Sequence, residues 1–565
     1  MKRHALTLLA LLTILVQASA QKLGGTWGTG AQEGEYYRIV DLAVPKELGI
    51  EAGSLCTLPD GRLAIGTRRG DIYLVEGAYE KVPRVRLHRF ARGLDEVLGL
   101  GYRDGAFYVT QQTEVTRISD TDGDGRADTF ENLSDVWGFE HYHEFAFGSP
   151  VDPDGNIWVV LGLSSSYHYR AKFRGWGFKI TPEGKAIPVA SGIRSAGGVA
   201  PNEHGVMFYA ESQGPWNGSC SLKHLKPGGF MGHPISFDAY QFAPNMGPRP
   251  IEPNSGSRLS VESRRVKQLV PYAVVFPYRK MGQSISAFRV DRTGGKFGPF
   301  QDQIFIGDYS LSIVMRATTE EINGVWQGAC YPFREGLSTG ILAVEFSPKG
   351  YLVAGGTNRG WPVRGNRQYV LERLEWTGKM PFEIERISIR PKGFQLSFTM
   401  PVDKAVAADP TVYKILTYTH VFQKHYGSPE VDQTTPKVTG AVVAEDGRSV
   451  QITVDGMVQG HVHEFDLGGL RSAGGAALLH KNAYYTVNEI PGSAPSPAPH
   501  PVPEDPRWLT YRAGEGPGDG RHIVLIAAEQ EYRSEQSLPM LARILARQHG
   551  FHCTVLFAVN GDGLV

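Results

Sequence analysis

The chain is short of cysteine, of net charge and of long apolar runs. Its four cysteines, Cys56, Cys220, Cys330 and Cys553, lie far apart. None sits in a C-x-x-C pair, which argues against a zinc ribbon, and none in C-x-x-C-H, which excludes a covalently attached haem here. Lys+Arg and Asp+Glu are equal at 58 each. No net basic field therefore points to nucleic acid or to an anionic membrane. Beyond the N-terminus no apolar run reaches the ~20 residues needed to span a bilayer.

Glycine (68) and proline (36) are plentiful in the 565 residues. Turn-rich all-β proteins need that mix and helix-rich ones avoid it. The length predicts two to four domains. The N-terminus reads "MKRHALTLLALLTILVQASAQ". Lys2 and Arg3 precede an apolar stretch from Ala5 to about Val16, and Ala18-Ser19-Ala20 fits a cleavage site. Residues 1–20 are therefore expected to be a signal peptide, leaving a secreted or periplasmic chain with no transmembrane span. Export permits disulfides, but four cysteines allow three pairings and the sequence does not choose.

One phrase recurs: a polar turn, usually with glycine, followed by an apolar strand, a second turn and a second strand. "LPDGRLAIGTRRGDIYLV", "YRDGAFYVTQQTEVTRI" and "DPDGNIWVVLGL" carry it, as do "NEHGVMFYAESQG", "FQDQIFIGDYSLSIVMRAT" and "SPKGYLVAGG". Their anchors are Asp60, Asp104, Asp154, His204, Asp302 and Lys349, mostly 44 to 50 residues apart. The step from His204 to Asp302 is double, with "PISFDAYQFAPNMGPRPIEPNSGSRLS" reading as an insertion inside it. A period of ~40 to 50 residues with paired strands predicts propeller blades. The expected fold is mainly β: a six-bladed β-propeller over about 35–378, closed by the early strand "EYYRIVDLAV". An Ig-like β-sandwich over 382–490 is expected to follow, then a Pro-rich linker over 491–507. The last stretch, 521–565, reads as a short, incomplete α/β segment: strand "RHIVLIAAEQEY", helix "SEQSLPMLARILARQHG", strand "FHCTVLFAV". Two parallel strands cannot bury both faces of a sheet, so this piece is expected to be a fragment or to borrow a partner.

"DTDGDGRADTFE" at 120–131 matches the EF-hand calcium loop, with Asp120, Asp122, Asp124, Asp128 and Glu131 at ligand positions. The upstream flank "AFYVTQQTEVTRIS" alternates like a strand and the downstream "NLSDVWGF" soon meets glycine, so no helix pair is available for a sensor. A structural calcium loop between blade strands is expected, with an acidic turn as the alternative.

Three stretches are expected at the propeller mouth: "WGFEHYHEFAF" with His141 and His143, "SGIRSAGGVA" with Arg194, and "AESQGPWNGSCSLKHLKPGGFMGHP" with Gly214 and Pro215. At these residues the chain resembles the soluble quinoprotein glucose/sorbosone dehydrogenases, six-bladed propellers that use pyrroloquinoline quinone and calcium. The resemblance covers about 50–370. It implies His143 as the general base, with His141 as the other candidate, and Arg194 as a stabiliser of cofactor or developing charge. It also implies Gly214 and Pro215 carbonyls on calcium, and Arg316 near the cofactor in place of the family's lysine. Ser195 stands where the family has Asn, and "LSTGILAVEFSPKG" lacks the family's arginines. The implied activity is oxidation of a sugar or other alcohol, with electrons passing to an external acceptor. The alternative is a non-catalytic propeller that binds carbohydrate or protein. The order of segments resembles the large planctomycete-type "membrane-bound dehydrogenase" proteins. The tail resembles the start of a trehalose-utilisation-like domain, of the class I glutamine-amidotransferase-like kind.

Overall fold

The computed structural model describes residues 26–163, 171–493, 508–514, 516–528 and 534–558. The expected signal peptide and most of the Pro-rich segment lie outside the described residues. Two compact units divide the chain at Ser496 and Pro497.

Six four-stranded antiparallel blades stand in a ring. Their inner strands are Ala52–Thr57, Gly99–Arg103, Ala146–Val151, Ala196–Pro201, Ile285–Val290 and Ile341–Phe346. Each packs against the next, and the sixth against the first. Closure comes from the N-terminus. Tyr37–Asp41 pairs with Tyr369–Trp376 as the outer strand of blade 6, with Tyr37 opposite Trp376. Glycine permits the convergence on the axis. A Cβ on Gly53 would lie 2.5 Å from the Val97 carbonyl oxygen, and one on Gly197 would lie 2.1 Å from that of Ile285. Residues from all six inner strands line the resulting narrow axial channel.

Between blades the cores follow strand alternation. Phe107, Val109 and Ile118 of blade 2 pack on Leu74, Phe90 and Ala91 of blade 1. Full burial of one such large side chain contributes roughly 1.5–3 kcal/mol. The double step in the repeat is an excursion inside blade 4, whose third strand ends at His224 and whose fourth begins at Val274.

That excursion reaches the sandwich. Ser257–Arg258 pairs with the sandwich strand Lys414–Phe422. The outer strand of blade 5, Val325–Arg334, also continues into the sandwich by pairing with Asn482–Val487. One sandwich sheet is thus an extension of a blade. The other orders Ile384–Arg390, Gly393–Phe398, Ser449–Asp455 and Lys437–Val443.

In the C-terminal unit His522–Ala527 and His552–Phe557 pair in parallel, with the helix Ser534–His549 between them in sequence. A third strand, Trp508–Tyr511, adds antiparallel to His552–Phe557. It comes from the far end of the Pro-rich stretch, where sequence reading saw no strand. Val524 and Ile526 remain exposed on the sheet. All four cysteines are free thiols.

Candidate active site

Antiparallel order sorts the loops onto two faces. The inner hairpin turns at Asp60, Asp104, Asp154, His204, Asp302 and Lys349 share one face. Loops leading into the inner strands, and those between second and third strands, share the opposite face, at the other end of the channel, its mouth side.

His143 lies in the loop between Thr129–Ser134 and Ala146–Val151, on the mouth side. Arg174 holds that loop. Its fully buried guanidinium donates to the carbonyls of Gly138 at 2.8 Å and Glu144 at 2.6 Å, and also to that of Gln112. The Glu144 carboxylate accepts from the Glu140 backbone N–H at 2.7 Å. His143 is half-buried, with its ring centroid 5.4 Å from His141, 6.2 Å from Phe145 and 5.9 Å from Trp361. Burial, then the nearby His141 and the Arg68 charge, pull its pKa below the usual imidazole range. At neutral pH it is therefore an uncharged imidazole able to accept a proton.

Around it runs a network that sequence reading missed. Arg68 donates to both Glu96 oxygens at 3.1 Å and lies 5.5 Å from the Phe145 ring centroid. Arg359 joins Glu96 at 3.1 Å to Glu51 at 2.8 Å, and Arg69 meets Glu51 at 2.9 Å. The Tyr309 hydroxyl donates to the Arg359 carbonyl at 2.8 Å. Glu96 has φ +40°, strained for a residue with a side chain, and such strain clusters at functional sites. These groups come from blades 1, 5 and 6 and the loop into blade 2, so no local motif marks them. The only local signal was "GTNRGW", directly after a blade strand. Its Arg359 follows the final-blade strand Tyr351–Thr357.

Arg194 sits on the loop into blade 4. Its Nη1 donates to the Gln213 carbonyl at 2.9 Å and its guanidinium lies 5.0 Å from the Tyr426 ring centroid. Beneath it, Glu211 accepts the Arg194 N–H at 2.7 Å and pairs with the buried Lys223 at 2.6 Å. Tyr426 belongs to the sandwich, whose 423–428 loop clamps the 213–217 loop. The Gly214 carbonyl accepts N–H groups from Asn217 and Gly427, both at 3.1 Å. Both its lone pairs are used, so the Gly214 carbonyl has none left for a calcium in this arrangement. Arg316 stands apart from His141 and His143. It is fully buried against Phe300 and Tyr331, donating to Gln303 at 2.6 Å and to the Ile384 carbonyl at 3.0 Å.

The acidic loop joins the third and fourth strands of blade 2, on the face opposite His143. Carboxylate oxygens of Asp120, Asp122 and Asp124 lie within 4.8 Å of one another. Asp128 instead accepts from Thr121 at 2.7 Å, and Glu131 pairs with Arg117 at 3.3 Å. The first three positions converge, while the ninth and twelfth are engaged elsewhere.

A family model described as a domain of unknown function (DUF7133) matches residues 85–264. No curated protein matches the chain. Among solved structures, one is an oxidoreductase (glucose dehydrogenase) of Thermus thermophilus, with 18% identity and a TM-score of 0.44. It is matched over 60% of this chain and 99% of its own. The PQQ-bound aldose sugar dehydrogenase of Streptomyces coelicolor is 14% identical over 60% of this chain and 98% of its own, at TM-score 0.41. A luciferin-regenerating enzyme matches as well, at 11% identity over 60% and 96%, with a TM-score of 0.38. At such identities and scores the likeness speaks to no activity. No helix among the described residues is long and apolar enough to cross a membrane.

Proposed function

We propose that the channel mouth binds a sugar or other polyol and that His143 takes the proton of a substrate hydroxyl as that carbon is oxidised. The observation that carries this reading is the neutral, half-buried His143 beside Trp361 and the Arg68–Glu96 pair. Trp361 is 59% exposed and Tyr142 66%, giving flat apolar surfaces for the C–H faces of a sugar. Glu96 can accept from its hydroxyls, and the half-exposed Arg69 and Arg359 can donate to them.

The oxidation needs an acceptor for the hydride, which a bound pyrroloquinoline quinone would supply. Arg69 and Arg359, about half exposed, are the cations that would face its carboxylates. His143 holds the proton on its ring until solvent removes it, and the Arg174-braced loop keeps the imidazole in place. The Gly214 carbonyl, already taken by two N–H groups, would not hold a calcium beside it.

A second reading, sugar binding without turnover, is favoured by the charge balance. The guanidiniums of Arg68, Arg69 and Arg359 already face Glu51 and Glu96, leaving one positive charge in excess. The protein should be titrated with the quinone, with and without calcium, then assayed for dye reduction with aldoses and polyols. Substrate-dependent dye reduction supports oxidation. No quinone binding at micromolar concentration, with calcium present, overturns it and leaves the sugar-binding mouth.

A further inference from the structure

Away from the mouth, a cavity of about 530 Å³ opens where blades 4 and 5, the excursion of blade 4 and the sandwich meet. Pockets of that size suit a small molecule or a short oligosaccharide. Its walls are held firmly. A Cβ on Gly460 of the sandwich would stand 2.5 Å from the Ser260 Cβ of the excursion helix Leu259–Arg265. Asn488 donates to the carbonyls of Tyr272 at 2.7 Å and Trp326 at 2.9 Å, tying sandwich to blade.

The lining is cationic. Lys226, Arg264 and Lys267 all face it, against one carboxylate, Glu489, among the described lining residues. Glu489 accepts from the Gln459 amide at 3.3 Å and the Asn323 amide at 3.5 Å. Lys226 and Lys267 are exposed, and neither forms an ion pair among the described residues. His224 lines the wall beside Trp326, with centroids 6.4 Å apart, and burial, then Lys226, pull its pKa down to about 4. At neutral pH it adds a neutral polar group and no charge.

We infer that this cleft is a second binding site, for a saccharide bearing carboxylate or sulfate groups. The lysines supply point charges for the anionic substituents. Hydroxyl and amide groups of Ser260, Ser263 and Gln268 suit the sugar hydroxyls. A nucleotide is the weaker match. The Trp326 indole is already packed against Phe208 at 5.7 Å and His204 at 5.3 Å, so it offers no free platform for a base.

The test is calorimetric titration of the full chain with four probes: trigalacturonate, a sulfated trisaccharide, neutral maltotriose and AMP. Binding of either anionic trisaccharide, with maltotriose at least tenfold weaker, is expected, and the preferred one identifies the anionic group. Affinity should fall as salt rises, because exposed charge pairs are screened. The K226Q/K267Q variant should bind roughly tenfold or more weakly, since each hydrogen bond to a charged group is worth about that factor. R359Q should bind the anionic sugar unchanged, which separates this cleft from the arginines of the mouth. Equal affinity for maltotriose, tighter binding of AMP, no binding of either anionic sugar, or an unaltered K226Q/K267Q affinity would overturn the inference. Thermal melting checks that K226Q/K267Q is folded. If it is not, salt-independent binding by the unaltered chain would overturn the inference on its own.

Discussion

His480 Nε2 lies 2.9 Å from Glu33 Oε1, although 447 residues separate them. Its other nitrogen, Nδ1, lies 2.5 Å from Glu383 Oε1. All three side chains are buried, which joins the N-terminal helix Gly30–Tyr36 to both sides of the sandwich. Burial alone would lower the His480 pKa. The Glu383 charge and the hydrogen bonds to Glu33 and Glu383 outweigh it and raise the value to about 9. Burial likewise pushes Glu33 upward, but its hydrogen bond to His480 and the imidazolium charge bring it below the usual carboxylate range.

The linkage follows in sign. A histidine raised from 6.5 to about 9 stabilises the fold fully below pH 6.5, and that contribution fades as pH rises through 9. Glu33, being lowered, adds stability that is lost as pH falls through its folded pKa. Thermal melting from pH 4 to 10 should therefore show a Tm plateau at mildly acidic to neutral pH, with an alkaline decline. His480→Gln should flatten the alkaline arm and cost about 3–5 kcal/mol, as for a broken buried ion pair. An unchanged alkaline arm in that variant would remove His480 from the account.

At the mouth, His143→Ala should lower any dye-linked turnover about 10²- to 10⁴-fold, the usual contribution of a general base. His141→Ala, exposed two residues away, should leave turnover largely intact. In the unaltered protein kcat/KM should fall only at acid pH, through a pKa below 6.5, because His143 must be neutral to act. A reversed result between the two variants would move the base to His141.

Calcium should raise the Tm if Asp120, Asp122 and Asp124 bind it, since a ligand held only by the native state stabilises it with concentration. Asp122→Ala should remove the calcium-dependent increment. A melting curve indifferent to calcium in the unaltered protein would make the loop an acidic turn bridged to blade 1 through His88 and the Gly125 carbonyl, 2.7 Å apart.

Limited proteolysis should cut first between 491 and 521. The boundary between the two units falls there, and linkers between domains are preferred sites of cleavage. The propeller–sandwich unit should survive as one fragment, because Val325–Arg334 pairs directly with Asn482–Val487. Release of a separate sandwich fragment would contradict that continuity.

The ring of blades was legible in the sequence because each blade repeats a local rule. A polar turn and an alternating strand pair recur, and the turn residues mark the same hairpin each time. The acidic loop was visible as a short motif beside such a strand, and His143 entered as a candidate only through the resemblance of its stretch to a known family. The final blade's partner strand at Tyr37 was also legible, since an unpaired early strand must close the ring somewhere. Tertiary structure alone decided the rest. Arg68, Glu96, Glu51 and Arg359 meet only after the ring closes, because charge pairing between loops of different blades leaves no spacing in the chain. Arg316 lies in a blade strand like any other. Only the packing of Phe300, Tyr331 and the sandwich shows that it is sealed away from the mouth. The pairing of Ser257–Arg258 with Lys414–Phe422 turned an apparent insertion into a brace. Backbone hydrogen bonds between segments so distant carry no signature in either sequence, and the Gly427 N–H reaches the Gly214 carbonyl by the same kind of contact.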